Sequence, residues 1–241
     1  MPKIYICLFI AILCTVPCLK GEELPEWFTL LRDAVYSQNL SSREIANYYN
    51  NAKEKARNEF SGAELSVMLS RCEYMMGRSL LYEEKKEEAG GFFERGLNYA
   101  QESLDKKPTP EGWQMLAENI SQLCTVRSTA FVMANGPKVE KYSKSALSLD
   151  PGNTAAQFMI AARYVYAPTP FHNYRRGIRM LEDIIADYDI RLHKDDRFNV
   201  YSSIGYAYNL QKNSGDARVW FLKSLEVYPD NKYVKKLLAG L

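Results

Sequence analysis

Phe198-Asn199-Val200-Tyr201-Ser202-Ser203-Ile204-Gly205-Tyr206-Ala207-Tyr208, followed by Ala217-Arg218-Val219-Trp220-Phe221-Leu222-Lys223-Ser224 and closed by Tyr228-Pro229-Asp230-Asn231, decides the fold. Apolar and aromatic side chains recur at three- and four-residue intervals in both runs, the period of a helix face. Asn213-Ser214-Gly215-Asp216 between them carries turn chemistry, and Pro229 ends the second run. Gly205 and Ala217 are small where two antiparallel helices would press closest, while Tyr201, Ile204, Tyr208 and Phe221 fill the space around that contact. One such hairpin cannot bury its apolar face alone, so the stretch predicts partners further up the chain.

Counted from Phe198 as position 1, an aromatic stands at 4, an aliphatic at 7, Gly at 8, Tyr at 11, Ala at 20, an aromatic at 24, a small residue at 27 and Pro at 32. This spacing resembles the tetratricopeptide repeat (TPR), a 34-residue helix–turn–helix unit. The same frame fits three less regular units. From Ser70, it places Met76, Gly77, Ala89, Phe93 and Gly96, with Glu73 where an aromatic is usual. Thr109-Pro110-Glu111 gives an N-cap, a first-turn proline and an early carboxylate, with Trp113, Leu116 and Ala117 in register. That helix is expected to run on to about Ala134 and to be stopped by Asn135-Gly136-Pro137. From Thr154, Ile160, Ala161 and Tyr164 fall in place, followed by a long turn over Ala167–Asn173 in which Phe171 either plugs a gap between helices or sits at a groove mouth. Upstream, Pro25-Glu26-Trp27 opens one helix and the capping box Ser41-Ser42-Arg43-Glu44 another.

The expected architecture is therefore all-α, a TPR-like right-handed superhelical solenoid of about four irregular helix pairs. Residues 22–60 would form an N-terminal helical pair or cap, 61–231 the repeats, and 232–241 a C-terminal capping helix.

Composition excludes several classes of function. The 241 residues are 46% hydrophobic and 25% charged, with a formal net charge of +2 and no long basic block, which speaks against a nucleic-acid partner. His172 and His193 are far apart with no ligand cluster around them, so no metal or cofactor is expected. No nucleophile motif or phosphate-cradling glycine loop is present, and the expectation is a protein without catalytic residues.

The first residues form a separate object. Lys3 precedes an apolar run from Ile4 to Val16, too short for a span of about 20 residues, and Pro17 breaks it. Residues 1–21 read as a secretory signal peptide, cleaved between Cys18 and Glu22 or processed as a lipoprotein leader with lipidation at Cys18. The chain is then exported, periplasmic or anchored on the envelope, and meets a membrane only through such a lipid. Outside the leader, Cys72 and Cys124 are expected to lie roughly 18 Å apart on neighbouring parallel helices, and so to be free, buried thiols.

In a TPR stack the first helix of each pair lines a concave groove. Carried onto this chain, the resemblance assigns that groove to Arg71, Tyr74 and Arg78; Gln114, Glu118 and Ser121; Phe158, Ala162 and Val165; and Asn199, Ser202, Tyr206 and Asn209. The family uses it for peptides or other proteins, sometimes clamping a terminal carboxylate with basic and amide side chains. Only Arg71 and Arg78 are basic here, which argues against such a clamp. The aromatic and amide lining suits a protein or peptide partner or a small amphipathic ligand, unless these residues simply pack on a flanking helix. The leading expectation is a binding or scaffold protein of the envelope. The alternative is a periplasmic accessory similar to the T component associated with TRAP-type solute transporters.

Overall fold

The computed structural model describes residues 24–188 and 192–241; the expected leader and Cys18 lie outside them. Among the described residues there are eleven helices and no strand. They are α1 (Glu26–Ser37), α2 (Ser42–Glu59), α3 (Gly62–Tyr82), α4 (Lys86–Lys106), α5 (Pro110–Val126), α6 (Thr129–Leu149), α7 (Thr154–Tyr166), α8 (Tyr174–Tyr188), α9 (Lys194–Leu210), α10 (Ser214–Val227) and α11 (Lys232–Ala239). Each helix packs on the next in sequence, and each odd-numbered helix from α1 to α7 also packs on the next odd-numbered one. Five helix pairs thus stack with α1, α3, α5, α7 and α9 as one layer, an all-α, TPR-like solenoid.

Small residues set the approach within pairs. A Cβ on Gly77 would meet the Phe93 ring at 2.6 Å, and one on Gly205 would meet Phe221 at the same distance. Ala117, Ala161, Ala89 and Ala217 are fully buried at the corresponding contacts. Gly96 does the same for a polar contact: it leaves room for Asn119, whose Nδ2 donates to Ser70 Oγ and Met115 O, while Ser70 Oγ donates to Gly96 O. Glu73, standing where the repeat wants an aromatic, is fully buried. Tyr49 OH donates to it at 2.7 Å and Arg95 Nε at 3.0 Å, and Lys53 Nζ completes the set. A buried carboxylate is tolerable only when its charge and lone pairs are matched in this way.

The helix starts follow their caps. Ser41 and Glu44 form the reciprocal capping box, and Thr109 Oγ1 accepts from Gly112 N above Pro110. The break after α5 differs from expectation. The chain leaves α5 at Arg127, Ser128 caps α6 by accepting from Phe131 N, and Asn135-Gly136-Pro137 lies inside α6. At this break the Arg127 guanidinium lies over Gly90 and donates to Glu94 at 2.7 Å. Asn135 Nδ2 bonds Phe131 O in the turn where Pro137 removes a backbone donor. Phe171 is 57% exposed and plugs no gap. Cys72 and Cys124 are both free thiols; Cys72 is buried and Cys124 only half-buried.

The two ends of the stack meet. Helix α1 packs on α9 as well as on α2 and α3. Tyr36, 1% exposed, stacks on Tyr228 at 5.3 Å and meets the edge of Phe198 at 5.5 Å. Its hydroxyl accepts from Asn199 Nδ2 and its carbonyl from Asn231 Nδ2, at 2.9 and 2.7 Å. Tyr228 OH and Lys194 Nζ both donate to Asp33, and Tyr233 N donates to Gln38 Oε1. Asn231 also caps α11, accepting from Val234 N. Asn231→Ala removes both bonds and strands a buried carbonyl, so it should lower stability by about 2 kcal/mol. Hydrogen exchange should then quicken in α1 and α11 well before α4 and α5; uniform quickening would show that the seam is not a separate contact.

Candidate functional site

Because the odd-numbered helices form one layer, the residues assigned to the groove fall on successive neighbours. Arg78, Gln114, Glu118, Ser121, Phe158, Ser202, Tyr206 and Asn209 are half-buried, so they are reachable by water yet flanked by protein. Arg71, Tyr74, Ala162 and Val165 are buried. Asn199 is engaged by Tyr36 of α1. Helix α1, which belongs to none of the repeats read from the sequence spacing, therefore contributes to the same layer of side chains.

Two chemically different regions result. At one, Arg78 donates to Tyr74 OH at 3.2 Å and to Tyr82 OH, and its guanidinium lies 4.9 Å from the centre of the Tyr36 ring. The spacing Tyr74-x3-Arg78-x3-Tyr82 puts all three on one helix face, a signal available in the sequence. Tyr166, half exposed at 52%, stacks on Tyr206 at 5.4 Å, and its hydroxyl shares a hydrogen with Ser203 Oγ at 3.0 Å. Burial raises the hydroxyl pKa of Tyr74 to about 12 against the opposing charge of Arg78. Tyr74 is therefore a neutral donor or acceptor over the whole physiological range.

The other region is acidic. Glu118 accepts from Gln114 Nε2 at 2.9 Å, and Gln114 Oε1 in turn accepts from Asn153 Nδ2. Burial pushes the Glu118 pKa up to about 7; the Gln114 bond opposes this, the charge of Asp195 adds to it, and Arg71 and Arg78 oppose it. Asp196, within reach of Thr154 Oγ1 at 3.5 Å, is raised well above the usual range by burial, then by Asp195 and Glu118. Asp195 pairs with Arg32 of α1 at 3.3 Å. Among the described residues no group of His, Cys, Asp and Glu could hold a metal ion. Two shallow depressions, of about 370 and 300 Å³, lie elsewhere, against α9–α10 and α8–α9, and neither is lined by these residues. Hydrogen-bonding groups and stacked rings thus lie on successive helices of one layer.

No family model matches the sequence, and no curated protein matches it. Among solved structures it is similar to YrrB, described as a TPR protein with an unusual peptide-binding site. The two are 14% identical over 89% of this chain and 91% of that one, with a TM-score of 0.39.

Glu118 yields a pH signature. Its folded pKa stands above the ordinary 4.5, so between those values the folded state holds more protons than the unfolded chain, and stability falls as pH rises from about 4.5 to 7. Glu118→Gln should therefore stabilise the protein on the order of 1 kcal/mol at pH 8 and hardly at all at pH 4. Thermal melts of both proteins across that range check it; an equal difference at both ends would place Glu118 in open solvent.

Proposed function

We propose that this chain is a non-catalytic binding protein of the cell envelope that holds a protein or peptide partner against its concave face. One observation carries the reading. Polar and aromatic side chains on successive helices of one layer, from Arg78 through Gln114 and Phe158 to Ser202 and Tyr206, stay half-buried, with part of each still open to solvent although Phe158 and Tyr206 also lean on the core. An extended peptide laid across such a row meets one new set of side chains per helix, with amides for its backbone and rings for its side chains. Peptides selected from a random library against the mature chain should bind with a Kd of roughly 1 μM and lose at least tenfold on Tyr206→Ala, about 1.4 kcal/mol. Selected peptides indifferent to Tyr206 would remove the concave face from the argument.

The seam favours a second reading. Helix α1 joins α9 and α3 across this layer, and a face closed in that way would suit a small amphipathic ligand of the kind a transport accessory would handle. Native mass spectrometry of the purified chain separates the two, since a retained small molecule belongs only to the second.

Export belongs to the same proposal and rests on the apolar run Ile4–Val16 behind Lys3. Among the described residues no helix is long and apolar enough to cross a membrane. Attachment through lipid at Cys18, where the apolar run ends, is part of the proposal. Fatty-acid labelling that disappears in Cys18→Ser is the expected result; unlabelled wild-type protein in the soluble envelope fraction would leave simple cleavage.

A further inference from the structure

The half-buried or buried cations of this protein generally find a carboxylate. Arg32 meets Asp33 and Asp195, Lys53 meets Glu73, and Arg127 meets Glu87 and Glu94. Arg78 is different. Its polar contacts are the hydroxyls of Tyr74 and Tyr82, and its face contacts are the rings of Tyr36, Tyr74 and Tyr82, at 4.9 to 5.8 Å. Glu118 is within electrostatic reach but bonds to Gln114, and its raised pKa leaves it only partly charged near neutrality. This half-buried guanidinium is held by hydroxyls and ring faces, with no carboxylate of the chain paired to it, so its charge is left for an outside anion to neutralise.

Donors already converge on the place where an anion would sit. A guanidinium has five N–H groups, of which Tyr74 and Tyr82 take two. Both hydroxyls accept from Arg78, so each keeps its own hydrogen to donate; Tyr82, like Arg78, is half-buried and so reachable. We propose that Arg78 and Tyr82, backed by Tyr74 and by Tyr36 of α1, form a binding site for a single carboxylate carried on an apolar body. One cation with neutral donors suits a monoanion, and the acidic groups Glu118, Asp195 and Asp196 nearby disfavour a phosphate dianion. The stacked rings of Tyr166 and Tyr206 supply the wall for the apolar part. This donor set differs from a clamp of basic and amide side chains on the repeats alone, because Tyr36 comes from the helix before them. The inference rests on the binding reading above and names the chemistry of its ligand.

Two matched pairs of probes test it by calorimetry: octanoate against octanol, and a hexapeptide ending in leucine as its free acid against its amide. In at least one pair the carboxylate form should bind tenfold or more tighter than its neutral twin, and which pair does so tells a free acid from a peptide terminus. Arg78→Gln should abolish that preference, Tyr82→Phe should reduce it severalfold, and exposed Arg218→Gln should leave it unchanged. If Arg78→Gln fails to fold, Tyr82→Phe carries the test. Equal binding of both twins, no binding by either pair, or a preference that survives Arg78→Gln overturns the inference. Neutral twins that still bind and depend on Tyr206 would leave the concave-face reading standing without it.

Discussion

The contact between the first helix and the last pair is the constraint on which the remaining features depend. A solenoid has two terminal units, each with an apolar face that no further repeat covers. In this chain the faces cover each other: Tyr36, Phe198 and Tyr228 form one aromatic cluster, each ring within 5.5 Å of the other two. Such a cluster is apolar and tolerant of angle, so it does not by itself fix how the ends meet. The hydrogen bonds around it do. Asn231 to the Tyr36 carbonyl, Asn199 to its hydroxyl and Tyr228 to Asp33 each need a particular geometry, and mismatched ends would leave buried polar groups unsatisfied.

The internal pairs are held by a different principle. There the decisive quantity is volume: Gly77 against Phe93 and Gly205 against Phe221 allow ring-to-backbone contact that a single methyl would obstruct. Charge is buried only where it is fully matched, as at Glu73 with Lys53, Arg95 and Tyr49. On the layer of odd-numbered helices, by contrast, polar groups of like and opposite charge crowd one another. Glu118 and Asp196 are pressed toward their neutral forms there, and Arg78 is met by tyrosines instead of an acid.

Much of this was legible in the residues. The Gly–Phe pairings lie fixed distances apart along the chain, within one repeat, and local spacing suffices to find them. Ser41 and Thr109 announce their helices because capping is a local event. The end of α5 was hidden for the opposite reason. Asn135-Gly136-Pro137 is the stronger local stop, but Arg127 reaches Glu94 on another helix, and a tertiary ion pair leaves no mark on neighbouring sequence. The seam was hidden more deeply. Tyr228 and Asp33 are separated by 195 positions, and Tyr228-Pro229-Asp230-Asn231 reads as a helix terminator whether or not Asn231 also binds the first helix. The concave tyrosines were half visible: Tyr74 and Tyr206 fall on repeat positions, whereas Tyr36 belongs to no repeat.

Closure also changes what binding on the concave face means energetically. In an open trough, a ligand gains only the contacts it makes with side chains already in place. Here Tyr36 belongs to α1 but lies against Arg78 of α3 and Asn199 of α9, so a molecule touching that group bears on the joint between the two ends. Anything that binds the joined form better than a parted one stabilises the joint by its own differential affinity, and the joint raises the affinity in the same measure. The contacts between α1 and α9 are few beside those within each pair, so parting them disturbs less of the core than parting any helix pair would.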